Sequence, residues 1–152
     1  MHPTTPVPLM IAELFERLGL GQAPADSDGV SVLSFDEVDV LLSVDEQAIV
    51  IFSRVGEAPA DSPAFLEALL AANLFWQDSG GATLSLEPFS RAVILARRLA
   101  FAELGSVDQL ELELESFAQS AVTWLRSIPQ LGRVETVDGN GVEPHPMLVS
   151  RA

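Results

Sequence analysis

The chain has 152 residues, of which 48% are hydrophobic, and its 22 acidic and 8 basic residues give a formal net charge of -14. So acidic a surface opposes binding to nucleic acid or to an anionic membrane, because both need a clustered cationic face. The absence of cysteine excludes disulfides, thiolate catalysis and cysteine-based zinc sites.

The sequence contains no apolar run of the roughly 20 residues that a membrane span needs. Its first ten residues lack the basic region and the long apolar stretch of a signal peptide. We therefore expect a soluble, cytoplasmic protein. Its hydrophobic content exceeds what one small core requires, which indicates an oligomer or a groove for a client.

The first part of the chain predicts one helix followed by three strands. The helix covers residues 7–18 and ends at Gly19. Three short β-rich runs follow, separated by acidic turns at residues 36–37 and 45–46, and such closely spaced runs predict an antiparallel meander. The runs are marked by Val30, Val32 and Phe35, by Val38, Val40 and Leu42, and by residues 49–52.

The central segment predicts a second helix that is apolar on nearly all sides. Ser62 is the expected N-cap and Pro63 the first helical residue, and the helix runs through Trp76. A helix of this kind is buried on more than one side, and the second side can belong to another subunit. Phe75 and Trp76 suggest a surface that another chain covers, with ordinary core packing as the alternative.

The last part of the chain predicts a short strand, an ambiguous segment and a long helix. Residues 82–86 alternate as a strand after a Gly-Gly break, whereas residues 92–99 fit either a helix or a two-sided strand. The final helix begins with a capping box at Ser106 and Gln109 and is expected to stop at Pro129. We therefore expect a domain over residues 1–129 and a flexible tail over residues 130–152.

The residues give little support to enzyme chemistry. Both histidines, His2 and His145, lie in proline-containing terminal segments that offer no fixed geometry for a general base. Nucleophile-elbow, phosphate-loop and dinucleotide motifs are missing. The carboxylates between Asp36 and Glu46 leave a metal-assisted hydrolase open, but hairpin turns explain them better. We predict a binding protein without catalytic residues, metal or cofactor.

Three stretches of the chain carry a family resemblance. They are Leu69 and Leu70 with residues 73–75, the run over residues 80–88, and Phe117 with Trp124. The order of these stretches, over about residues 9–128, resembles that in the type III secretion chaperones of the Tir-chaperone (CesT) family. The resemblance implies an α+β fold with helices packed on a twisted antiparallel sheet, in the order α-β-β-β-α-β-β-α, and a homodimer. It also implies that residues 92–99, which the local pattern leaves ambiguous, form a strand.

The resemblance implies a function as well. A cytoplasmic bacterial chaperone would bind the N-terminal chaperone-binding region of a secreted effector, without ATP. It would keep the effector extended and export-competent and deliver it to the secretion apparatus, with the secretion ATPase as a further partner. A regulatory adaptor or anti-activator of the same fold is the alternative.

The resemblance also suggests which residues bind the client and which form the dimer. An extended client can add a strand to a sheet edge and place alternate apolar side chains in pockets. We expect Leu14, Leu18, Val32 and Phe35 to form the pocket walls and to be partly exposed in the free protein, with core packing as the alternative. Asn73 is a polar residue that could fix the pairing of two subunits. The residues expected at the dimer interface are Leu69, Asn73, Phe75, Trp76, Leu84 and Leu86.

Overall fold

The computed structural model describes residues 7–19, 30–45 and 47–131. His2, His145, Glu46 and residues 132–152 of the predicted tail lie outside this part. Within it, the predicted order of helices and strands is confirmed. The elements are α1 (Val7–Arg17), β1 (Val30–Ser34), β2 (Asp39–Val44), β3 (Ala48–Glu57), α2 (Pro63–Ala72), β4 (Thr83–Leu86), β5 (Ala92–Ala100) and α3 (Val107–Leu131), with short 3-10 helices at Leu74–Trp76 and Phe101–Glu103.

The strands form one five-stranded sheet in the order β1-β2-β3-β5-β4. Each neighbouring pair is antiparallel, as predicted. Phe35 and Val38 exchange backbone hydrogen bonds of 2.9 and 3.2 Å in the turn between β1 and β2. In the next turn the Asp45 carboxylate accepts hydrogen bonds from the N–H groups of Gln47 and Ala48 at 2.6 and 2.7 Å. These short acidic turns join β1, β2 and β3 into the meander. The outer strands of the sheet are β1 and β4, because β4 pairs only with β5.

The segment that the local pattern left ambiguous is a strand. β5 lies between β3 and β4 and pairs with both. Val93, Leu95 and Leu99 are buried, whereas Ile94 and Ala96 on the other face are half-buried. A strand with apolar contacts on both faces has a nearly continuous apolar sequence, which local periodicity cannot distinguish from a helix.

The core lies between one face of the sheet and α3. Buried side chains of β2, β3 and β5 join those of Leu110, Leu114 and Phe117 in one cluster. α1 packs against α3, and Arg17 pairs there with Asp108. Half of the predicted capping box forms, because the Gln109 N–H donates to Ser106 Oγ at 3.2 Å. The Gln109 side chain reaches back one residue further than expected and accepts a hydrogen bond from the Gly105 N–H at 2.9 Å.

The prediction that Pro129 ends the last helix is wrong, since α3 continues to Leu131. Proline disrupts a helix because it lacks an N–H group and its ring crowds the preceding turn. Only two helical residues follow Pro129 in α3, so this disruption is confined to the final turn. Residues 130 and 131, expected in the flexible tail, are helical.

Candidate binding surfaces

The outer edge of β4 is capped at Leu84 by a side chain of the same protomer. Nδ2 of Asn73 donates to the carbonyl oxygen of Leu84 at 2.9 Å, and Oδ1 of Asn73 accepts from the Leu84 N–H at 2.8 Å. An amide that satisfies both backbone groups of one residue occupies the place of a neighbouring strand. Asn73, predicted to fix a dimer pairing, therefore uses its polar groups to cap β4.

The outer edge of β1 has no strand beside it among residues 7–19, 30–45 and 47–131. β1 pairs with β2 on its inner side over five residues, from Val30 to Ser34. An unpaired edge offers a row of N–H and C=O groups to an incoming chain. Within the described residues the sheet thus has one capped edge and one open edge.

Three of the four residues predicted to bind an effector have partly exposed side chains. Val32 on β1 is 53% exposed, Leu18 is exposed just after α1, and Phe35 is half-buried after β1. The expected exposure is wrong for Leu14, whose side chain is 0% exposed. Because α1 packs against α3, this position on the helix fills the core.

The residues predicted for the dimer interface divide into covered and exposed side chains. Leu69 and Leu84 are buried in the core, and Leu86 is half-buried against it. Their apolar surface is already covered within one protomer. Phe75 is 75% exposed, and Trp76 is exposed as well. Exposed apolar surface in this region therefore lies at the end of the α2 segment.

Two leucines that the sequence analysis missed enlarge this exposed surface. Leu70 on α2 is 73% exposed, and Leu74 in the following 3-10 helix is also exposed. We call Leu70, Leu74, Phe75 and Trp76 the α2 patch. The signal for it was an apolar character all around the helix, which indicates a second covered face without saying which residues form it.

The backbone of the α2 patch adopts a conformation that bulky residues rarely take. Phe75 and Trp76 have φ values of +54° and +55°, and the left-handed region costs roughly 1–2 kcal/mol per such residue. Hydrogen bonds from the Trp76 N–H to the Asn73 carbonyl at 3.0 Å and from the indole Nε1 to Thr83 Oγ1 at 3.3 Å hold the segment. Strain combined with exposed aromatic rings indicates a surface held in place for a partner.

Three acidic residues in and beside the two hairpin turns, Glu37, Asp39 and Asp45, have hydrogen-bond partners. Glu37 accepts a hydrogen bond from Nε of Arg126 at 3.2 Å, and Asp39 accepts one from Ser34 Oγ at 2.8 Å. Among the residues that the structure describes, no group of three His, Cys, Asp or Glu side chains could hold a metal ion. None of the helices in that part is long and apolar enough to cross a membrane.

An open strand edge beside exposed apolar side chains, and a separate exposed apolar patch on the α2 segment, are features typical of a small α+β protein that binds other polypeptide chains. The chain belongs to the Tir chaperone protein (CesT) family, whose model matches residues 10–125. The family comprises type III secretion chaperones, as the resemblance predicted.

Individual relatives agree with this assignment. The Tir chaperones of Citrobacter freundii and Escherichia coli are each 25% identical to the chain over 114 residues, which cover 74% of this chain and 72% of theirs.

Solved structures share the fold. A chain of the ExsC-ExsE complex has a TM-score of 0.69 and 22% identity, covering 84% of this chain and 97% of its own length. A chain of the HopA1-SchA chaperone-effector complex has a TM-score of 0.64 and 20% identity, covering 78% and 91%. A chain of the complex between the Yersinia pestis type III secretion chaperone SycH and a stable fragment of YscM2 has a TM-score of 0.60 and 26% identity, covering 78% and 99%. The predicted α+β fold is confirmed.

Proposed function

We propose that this protein is a cytoplasmic chaperone that binds an extended N-terminal segment of a secreted effector and keeps it export-competent. The observation that carries the proposal is the difference between the two sheet edges. The carboxamide of Asn73 caps the β4 edge at Leu84, whereas β1 is open in the described part of the chain. A client strand would therefore add at β1.

The side chains around β1 suit an apolar, extended client. Val32 is exposed on β1, and Phe35 directly follows that strand. Leu18 is exposed after α1 and completes the proposed effector-binding set, from which the buried Leu14 is removed. Main-chain hydrogen bonds to a strand edge give affinity for many sequences, and contacts with alternate side chains give preference among them. A segment held in this way stays locally unfolded.

We also propose that the α2 patch forms a homodimer interface. In a two-fold dimer the same surface is used on both subunits, so a single apolar patch can be covered by its own copy. The exposed side chains of Leu70, Leu74, Phe75 and Trp76 would be removed from water. Covering them would also compensate the strained backbone of the two aromatic residues.

The proposed chaperone is not an enzyme and uses no nucleotide of its own. Its sequence contains no phosphate-binding loop of the GxxxxGK[ST] type. Delivery of the effector would instead depend on the secretion apparatus, with the secretion ATPase as a further partner.

Client capture tests the proposal. The tagged protein is purified from its source bacterium, bound proteins are identified by mass spectrometry, and hydrogen exchange is measured on the complex. We expect an effector whose N-terminal segment is protected together with the amides of β1. Val32→Asp should abolish capture without loss of circular dichroism. The matched control is Leu112→Asp, at an exposed leucine on α3.

Two results would count against the proposal. Protection confined to a folded domain of the client, with no change at β1, would contradict binding of an extended segment. A bound transcriptional regulator in place of an effector would instead favour an adaptor or anti-activator of the same fold.

A further inference from the structure

A groove with an apolar floor and an acidic rim lies between the β1–β2 turn and α3. Its volume is about 490 Å³, within the range of roughly 300–1,000 Å³ that is usual for ligand pockets. The apolar floor is formed by Phe35, Ala118 and Val122. The acidic rim is formed by Asp36, Glu37 and Glu115.

Both walls of the groove are structurally fixed. Glu115, Ala118 and Val122 are spaced by three and four residues, so they share one face of α3. On the opposite wall, Phe35 is held by the two backbone hydrogen bonds that it exchanges with Val38. The groove is therefore present before any ligand binds.

The charges at the rim favour a cationic ligand. Glu37 is paired with Arg126. Asp36 and Glu115 form no ion pair within residues 7–19, 30–45 and 47–131, although both are exposed at the groove. Two carboxylates above an apolar floor, on a chain with a net charge of -14, create a local field that attracts a positive group.

The groove is continuous with the open edge of the sheet. β1 ends at Ser34, and the next residue, Phe35, belongs to the groove floor. A client strand paired along β1 would reach the groove at this end of the strand. One segment could therefore occupy both places.

We propose that the groove receives an arginine or lysine side chain of the same client segment that adds to β1. Long basic side chains lay an aliphatic stem on apolar surface and keep the charged head at a polar rim. Here the stem would lie on Phe35 and Val122, and the head would meet Asp36 and Glu115. This inference rests on the proposed function and adds the chemistry of the client: alternating apolar residues with one basic anchor at the end of the segment that lies beside Phe35.

A displayed library of random 12-residue peptides tests this chemistry. We expect selection on the purified protein to enrich peptides with alternating apolar residues and a basic residue at a fixed distance from them. Selection on the double variant Asp36→Asn, Glu115→Gln should keep the apolar pattern and lose the basic residue. The charge-matched control is Asp61→Asn with Glu103→Gln, because both carboxylates are exposed and neither lines the groove.

A selected peptide then gives a quantitative test. Replacing its basic residue with neutral citrulline should weaken binding to the parent protein by about two- to fivefold, as for an exposed ion pair, and reduce the salt dependence of association, as expected for a rim charge. The same replacement should have little effect on binding to the double variant.

The possible failures are distinguishable. Apolar binders without a basic residue, or basic enrichment that survives in the double variant, would overturn the basic anchor and leave strand addition intact. A library that yields no binder would contradict extended-segment binding itself, and the inference with it.

Discussion

The cap on β4 predicts a measurable loss of stability for Asn73→Ala. The substitution removes two part-buried hydrogen bonds to Leu84, of 2.9 and 2.8 Å. Each such bond contributes a net of about 0.5–1.5 kcal/mol, so we expect the free energy of unfolding to fall by about 1–3 kcal/mol. With a urea slope of about 2 kcal/mol per molar, a loss of 2 kcal/mol lowers the unfolding midpoint by about 1 M.

Asn73→Asp should make the stability of the protein depend on pH at this position. The aspartate keeps one acceptor for the Leu84 N–H but places its second oxygen against the Leu84 carbonyl, where only a protonated carboxyl can donate. The pKa of this carboxyl should therefore be raised in the folded state. Because the folded state then binds more protons than the unfolded state, the stability of this variant should recover as pH falls from neutrality toward about 4.

The assay is urea unfolding followed by circular dichroism, with all proteins at one concentration because dimerisation would shift apparent stability. Gln77→Ala is the control, since it removes an exposed side-chain amide close to the same segment and should change stability by no more than about 0.5 kcal/mol. A midpoint for Asn73→Ala that matches the control would refute the cap. An unchanged pH profile for Asn73→Asp would refute its donor role.

Three further predictions follow from single contacts. Gly56→Ala would place a Cβ 2.4 Å from Cγ2 of Ile128, so it should lower the free energy of unfolding in urea by about 1–3 kcal/mol. The same substitution should cost less in a protein that already carries Ile128→Ala. Losses that simply add in the double variant would contradict this contact. Two backbone N–H groups hold the pKa of Asp45 below its usual range, so this carboxylate stabilises the fold above the unfolded pKa and loses that effect as pH falls through the folded pKa. Asp45→Asn should then show a smaller drop in thermal midpoint below about pH 4; superimposable pH profiles would exclude this role. Phe75→Asp should give folded monomers in sedimentation at micromolar concentration. The control Phe89→Asp, at another exposed phenylalanine, should leave the dimer intact. A Phe75→Asp variant that stays dimeric or fails to fold would contradict the proposed interface.

Helices and strands with clear local signals could be predicted from the sequence. The acidic turns and the capping box at Ser106 are satisfied by neighbours within a few residues, so short-range pattern is sufficient there. β5 is different, because its neighbours β3 and β4 lie elsewhere in the chain and its own pattern fits two structures. Only the family resemblance predicted its strand conformation.

The candidate sites were harder to predict because side-chain direction depends on distant elements. On α2, Leu69 is buried and Leu70 exposed, yet a helix that is apolar on all sides gives no sign of which leucine faces the core. α3, some 40 residues later in the chain, contributes much of the core. The pairing of Asn73 with Leu84 likewise joins a helix end to a strand that periodicity treats separately.

The cap on β4 has a consequence for assembly. A sheet with two open edges is bivalent: it can gain a strand on each side and so become a link in a growing β-aggregate. In the part of the chain that the structure describes, Asn73 occupies both outward backbone groups of Leu84 in the four-residue strand β4. This cap disfavours strand addition at β4 and leaves β1 as the edge that can accept an extended segment, which opposes growth of the sheet from both sides.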